Sequence, residues 1–255
     1  MKLFLFILFV PLLAFGQLEW KKKSVGDPSA KRSTATSSSL LTSLQAYWKL
    51  DEASSNATDS QAGIVLTNTS VSYTTGITNN GANFTADGQY LEVGDLAALS
   101  FGDEDFTISC WYKGASTSGT QIFLSKWGAS GQWEYMFWFY GAIEKFYWSI
   151  SSNGSTGTDV VSTNAYAVST WYHIVAQHDS VNNLTKIKVN NTGWITAPLI
   201  TGCRDGTTAF RLGHSVSGST GTRAVLDEVG LWRRCLTDAE ITTLYNSGNA
   251  LPYPF

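Results

Sequence analysis

The sequence predicts an all-β sandwich of antiparallel strands, closed by one short C-terminal helix. Three observations carry that expectation. From Leu41 onward, apolar and polar residues alternate in short runs punctuated by Gly, Asn, Ser and Thr, the spacing of a sandwich. Rings are abundant and charge is scarce, with 10 Trp, 11 Tyr and 13 Phe in 255 residues of which 15% are charged. One stretch alone, near the C terminus, combines helical periodicity with a start and a stop signal. The ring content excludes a disordered chain, and the scarcity of charge argues against a coiled coil. Length allows one large domain or two small ones; a single change of texture, near residue 40, favours one domain behind a tether.

Met1-Lys2 opens a short positive region, and an apolar run from Leu3 to Phe15 follows, interrupted by Pro11. Ala14 and Gly16 put small residues where a signal peptidase inspects the chain, so residues 1–16 are expected to be a secretory signal peptide. The run is shorter than the roughly 20 residues a stable membrane span needs; the alternative is an uncleaved anchor. Residues 17–40 are small and polar, with Lys21-Lys22-Lys23 and a Ser/Thr-rich stretch, and read as a flexible tether. Residues 1–40 hold six bases and two acids, which leaves 11 bases and 18 acids for the rest. A domain with that balance has no electrostatic footprint for nucleic acid or anionic lipid.

Within residues 41–255 the strands follow one another. Phe106 to Lys113 alternates, with Phe106, Ile108, Cys110 and Tyr112 on one side. Comparable runs stand at 121–127, 134–140, 145–151, 171–178, 186–189, 210–213 and 224–232. Thr237 with Glu240 three residues on forms a capping box. Ile241, Leu244 and Tyr245 then give an apolar stripe, and Gly248 is placed to stop the helix. Three cysteines allow one disulfide in an oxidising compartment. Cys110 lies in a strand pattern, whereas Cys203 and Cys235 lie in loop-like sequence and are the expected pair.

Four stretches together resemble a known family. They are Ala46-Tyr47-Trp48-Lys49-Leu50-Asp51-Glu52 with Ala57 to Gly63; Gly88 to Val93 leading to Phe106 to Trp111; Thr170 to Ala176; and Leu226-Asp227-Glu228-Val229-Gly230-Leu231-Trp232, closed by Leu236 to Ile241. In order and spacing this is similar to the concanavalin A-like jelly roll of the laminin G and pentraxin type, over about Leu41 to Gly248. The resemblance implies a two-sheet antiparallel jelly-roll sandwich with six or seven strands per sheet. It also implies binding of glycans or proteins in most relatives, with glycoside hydrolases and polysaccharide lyases a minority. Many relatives hold a structural Ca²⁺ between an early Asp-Ser loop and an Asp near the end of the chain. Those positions match Asp59 and Asp227, with carbonyls of Gln61 and Gly63 as further oxygen ligands. The alternative is that Asp59 makes an Asx-turn and Asp227 caps a strand end.

Catalytic patterns are missing. The acid-x-acid-x-acid strand that hydrolases of this fold carry does not occur. Asp103-Glu104-Asp105 precedes its strand, and Asp51-Glu52 and Asp227-Glu228 are adjacent pairs, expected to face opposite ways. His173, His178 and His214 form no metal or triad spacing. The chain is therefore expected to be non-catalytic. Its most informative feature is an aromatic belt between Trp127 and Trp148. In 134–140, Tyr135, Phe137 and Phe139 share one face, and Met136, Trp138 and Tyr140 share the other. One face must be core; the second is then an aromatic surface, and such patches mark binding sites. Indoles and phenols suit sugar rings, having a flat apolar body and a polar tip. Trp133, Trp138, Tyr140 and Trp148 are the expected ligand contacts, by parity and position; the inverse parity would exchange the two sets. The expected function is a secreted lectin-like module binding a glycan or glycoprotein. The alternatives are an adhesion or structural protein of a cell surface or virion, working by protein contacts or self-association, and a divergent carbohydrate-active enzyme.

Overall fold

The structure is a computed structural model that describes residues 39–199, 201–218 and 220–255. The expected signal peptide and all but the last two residues of the expected tether lie outside the described residues. Sixteen strands follow in chain order: β1 Leu44–Trp48, β2 Ala57–Thr58, β3 Val65–Thr69, β4 Ser72–Thr75, β5 Asn80–Phe84, β6 Tyr90–Val93, β7 Phe106–Gly114 and β8 Thr120–Trp127. Then come β9 Trp133–Tyr140, β10 Lys145–Ser151, β11 Gly157–Val161, β12 Trp171–Asp179, β13 Leu184–Val189, β14 Ile195–Pro198, β15 Phe210–Leu212 and β16 Ala224–Trp232. One α-helix, α1, covers Asp238–Tyr245. Among the described residues the strands form two antiparallel eight-stranded sheets, more than the six or seven implied by resemblance; short strands such as β2 and β4 make up the difference.

The first sheet runs β14-β13-β12-β7-β16-β5-β4, with β1 also paired to β16; the second runs β11-β10-β9-β8-β15-β6-β3-β2. Alternation explains the core between them. Phe106, Ile108, Cys110 and Tyr112 of β7 meet Tyr135, Phe137 and Phe139 of β9 and Phe146, Trp148 and Ile150 of β10 in one buried cluster.

The two outer faces differ. The outer face of the first sheet is covered by a second apolar cluster, in which Leu40, Leu44, Tyr47, Val175 and Trp232 pack with Leu236, Ile241 and Leu244. Tyr253 and Phe255 of the C-terminal tail pack on it, and Tyr245 of α1 stacks on Trp111 at 5.9 Å. That cover is why every residue of β16 is buried, rather than alternate ones. Leu40 is fully buried and its carbonyl accepts the Trp232 indole N–H, so the packed domain includes the last residues of the expected tether. The helix starts as the sequence predicts, with a reciprocal capping box between Thr237 and Glu240. It stops earlier than Gly248, at Asn246, which takes the left-handed conformation at φ 45°.

The expected disulfide does not form. All three cysteines are free thiols: the Cys203 thiol is held at its own loop by the Arg204 carbonyl, and that of Cys235 donates to the His178 carbonyl on β12.

Candidate functional site on the open face of the second sheet

Strand β9 runs between β8 and β10 in the second sheet and sends Trp138 and Tyr140 outward, as alternation predicts. The hairpin joining β9 to β10 pairs Tyr140 with Lys145, so Trp138 lies opposite Tyr147. Their rings stack at 4.0 Å with 27° between planes, and Tyr140 packs on both at 6.0 and 6.3 Å. Cross-strand aromatic pairs of this kind contribute about 0.5–1.5 kcal/mol beyond their burial, which fixes the two rings against each other.

The same register overturns one expectation. Trp148 is not a surface contact; it is fully buried, with its indole N–H donating to Thr185 Oγ1 across the core at 2.7 Å. Tyr147 takes the place on the outer face that the sequence reading gave to Trp148. The signal was available: a four-residue loop at 141–144 fixes the register, and the register fixes which of Phe146, Tyr147 and Trp148 faces out.

Polar groups continue the platform toward β11. The Trp138 indole N–H donates to Ser149 Oγ at 2.7 Å, and Ser149 Oγ donates to Asp159 Oδ1 at 2.5 Å. Asp159 is exposed on edge strand β11, and among the described residues it has no ion-pair partner. Burial and then the Asp159 charge raise the Tyr147 phenol above its ordinary pKa.

A second stack closes the end of this sheet. Trp133 does not join Trp138; it stacks on Trp127 at 4.7 Å and donates its indole N–H to the Gly128 carbonyl at 3.0 Å. The Trp127 ring reaches toward β11: a Cβ on Gly157 would lie 3.1 Å from its outer edge and 3.9 Å from Asp159 Oδ1. Gly157 and Asp159 are two apart on one strand and share a face, so indole and carboxylate flank the same side of β11.

The residues matched to a calcium site do other work. Asp59 Oδ1 accepts the N–H groups of Tyr47 and Gln61, and Oδ2 those of Ala62 and Ile64. Gly63, at φ 74°, lets that loop fold back, and the Gln61 side chain accepts the Tyr253 hydroxyl. Asp227 accepts N–H groups from Ile77, Thr78 and Glu228. A cation placed on these oxygens would face amide hydrogens. Among the described residues no group of three or more His, Cys, Asp or Glu is arranged to hold a metal. Asp59, Gln61, Gly63 and Asp227 therefore do not fit a shared Ca²⁺; Asp59 is the turn-forming residue of the alternative reading.

Asp227 and Glu228 also depart from the expected opposite facing. Glu228 sits at φ 48° in a register shift of β16 between Asp227 and Gly230, and both side chains are buried. Burial and then the Glu228 charge push the Asp227 carboxyl up to about 9. Burial raises Glu228 as well, against a hydrogen bond from the Thr78 hydroxyl. The other candidates are structural. His173 is buried between Ser109 Oγ and the Trp111 ring, and desolvation lowers it to about 3. Asp103, Glu104 and Asp105 hold His178, Arg233 and Ser180. Glu134, which the sequence reading passed over, is buried with Lys126 as an ion pair, and its desolvation outweighs Lys126 and raises it to about 7.

The chain belongs to the concanavalin A-like lectin/glucanase superfamily, whose laminin G-type family model matches residues 84–242. No curated protein matches the chain. Among solved structures, the binding domain of Paraclostridial Mosquitocidal Protein 1 is similar with a TM-score of 0.68 at 13% identity, over 81% of this chain and 52% of that one. This chain thus spans about half the length of that relative. Domain 4 of AbnA, a GH43 extracellular arabinanase from Geobacillus stearothermophilus solved with arabinotriose, matches with a TM-score of 0.61 at 16% identity, over 82% of this chain and 98% of that domain. Trypanosoma rangeli sialidase in complex with the inhibitor DANA matches at 0.60 and 14% identity, over 85% of this chain and 37% of the enzyme. These likenesses show the jelly-roll fold. Among the described residues no helix is long and apolar enough to cross a membrane.

Proposed function

We propose that this chain is a secreted, non-catalytic recognition domain that binds a glycan, free or on a glycoprotein, on the open face of the second sheet. Trp138, Tyr147 and Tyr140 provide the stacking platform, and Asp159, held in place by Ser149, provides hydrogen bonds. The observation that carries the reading is the asymmetry of the sandwich. One outer face is covered by α1 and the tail, while the other presents a stacked Trp–Tyr pair beside an exposed carboxylate. Family membership supports it, as does the similar arabinanase domain, which was solved in complex with arabinotriose. The non-catalytic part rests on the carboxyls. A glycosidase needs two carboxyl groups flanking the scissile bond; among the described residues Asp227 is occupied by three amides, and Glu134, on the same side of β9 as Trp138, is buried against Lys126.

Trp fluorescence titration and a glycan array with the wild type, Trp138→Ala and Tyr147→Ala test the reading. Selective binding that weakens at least about tenfold in each variant is expected, since truncating a central aromatic anchor removes most of its contact energy. Binding unchanged in both variants would remove the face from consideration. An array without signal, together with concentration-dependent self-association lost in Trp138→Ala, would transfer the same face to protein contacts.

A further inference from the structure

The open face carries its own statement about which glycans it takes. Its two aromatic stacks are separate: Trp133 and Trp138 lie five residues apart on β9, about 17 Å of strand, and Trp127, against Gly157, brings the Trp127–Trp133 stack to the side of β11 that carries Asp159. A single sugar ring, no larger than an indole, covers one stack and leaves the other bare. Between them lies Asp159, whose Oδ1 accepts from Ser149 while Oδ2 has no hydrogen-bond partner among the described residues. An ionised carboxylate only accepts hydrogen bonds, so its partner must bring donors, which on a neutral sugar are its hydroxyls. Among the described residues no Lys or Arg pairs with Asp159 to offset its charge.

We propose, on the basis of the glycan-binding reading above, that the ligand is an uncharged oligosaccharide laid across both stacks, with its hydroxyls on Asp159, and that glycans carrying carboxylate or sulfate at that point are rejected. Gly157 is part of the arrangement. It leaves Trp127 room to approach β11, since a Cβ there would stand 3.1 Å from the ring. Asp159 gives selectivity by repulsion as well as by attraction. A negative group about 4 Å from it, even at the dielectric of water, binds at least about fivefold more weakly than a neutral one. Because Asp159 is exposed, that discrimination is screened by salt.

The test uses the full chain and matched probes: galacto-oligosaccharides from mono- to hexasaccharide against oligogalacturonates of the same lengths, with gluco-, xylo- and arabino-oligosaccharides as further neutral series. Trp fluorescence and calorimetry read the affinity at low and high salt. Neutral affinity is expected to climb with length and then level off, with the climb lost in Trp127→Ala. The uronates are expected at least about fivefold weaker than their neutral counterparts at low salt, the gap closing in Asp159→Asn and at high salt. Uronates that bind as well as neutral chains, or a gap untouched by Asp159→Asn, would overturn the charge selection while leaving glycan binding in place. A monosaccharide that binds as tightly as the hexasaccharide would overturn the two-stack placement. If no saccharide of either charge alters the fluorescence of the folded protein, the glycan-binding reading fails, and this inference with it.

Discussion

At the scale of single residues, Tyr147 and Trp148 show how a one-residue difference separates surface from core. Trp148→Ala removes a buried indole and leaves Thr185 Oγ1 without its donor, so a loss of about 3–5 kcal/mol is expected in chemical denaturation; a loss below 1 kcal/mol would contradict the buried placement. Tyr147→Ala, on the open side, should cost only about the 0.5–1.5 kcal/mol of its stack on Trp138 while weakening binding. Titration of buried carboxyls gives a second prediction at this scale. Asp227 keeps its proton up to about 9 in the native state, whereas an unfolded Asp releases it near 4. The native state then binds the extra proton, so this contribution to stability is complete below about pH 4 and is lost as pH rises through about 9. Glu240 acts in the opposite sense. Despite some desolvation, Arg234, the Thr237 amide and Ser39 hold it at about 2, so its contribution is present above the unfolded value and is lost as pH falls toward 2. Thermal midpoints are expected to be highest in mildly acidic solution and to decline toward pH 9, and Asp227→Asn should flatten the alkaline decline. A decline equally steep in the variant would show that Asp227 does not cause it.

Individual elements show where sequence periodicity is sufficient and where it is not. Strands β7, β9, β10, β12 and β16 lie within one or two residues of their expected bounds, because each is a long run rich in apolar residues. Edge strands β11 and β14 were not anticipated: Gly157-Thr158-Asp159 and Ile195-Thr196-Ala197-Pro198 are too short and too polar to stand out, and they exist through pairing with β10 and β13. For that reason Trp138 and Tyr140 were legible as surface, while Asp159 was not visible as their neighbour. Non-local pairing also decides β16, where the Glu228 irregularity brings together two acids that strict alternation would separate. The helix is the reverse case, written locally in Thr237 and Glu240. Thr237→Ala removes the cap and should cost about 1 kcal/mol in urea unfolding, whereas Thr237→Ser should be close to neutral. Equal losses in both would show that the hydroxyl is not what matters.

Across the whole molecule, the two loop staples and the terminal cover determine what a treatment can remove. Asp59 ties residues 59–64 to Tyr47, and Asp227 ties residues 77–78 to β16, both through backbone amides. A chelator is therefore expected to leave the thermal midpoint unchanged; a fall reversed by Ca²⁺ would restore the metal these amides displace. Deleting residues 251–255 strips Tyr253 and Phe255 from Tyr47 and Trp232. The shortened protein is expected to melt at lower temperature and to bind a hydrophobic dye, because an exposed aromatic patch is an association surface. The jelly roll and its core were legible because they repeat a pattern over many residues. The amides on Asp59 and Asp227 were not legible, because residue spacing says nothing about which groups reach the carboxylate oxygens.

The same terminal cover sets a direction. Leu40 at one end of the described chain and Phe255 at the other lie together on the first sheet, with the full thickness of the sandwich between them and Trp138. The described chain thus begins and ends on the face opposite Trp138. A partner held against that face would leave the aromatic face unshaded, free to meet a long chain lying in any orientation.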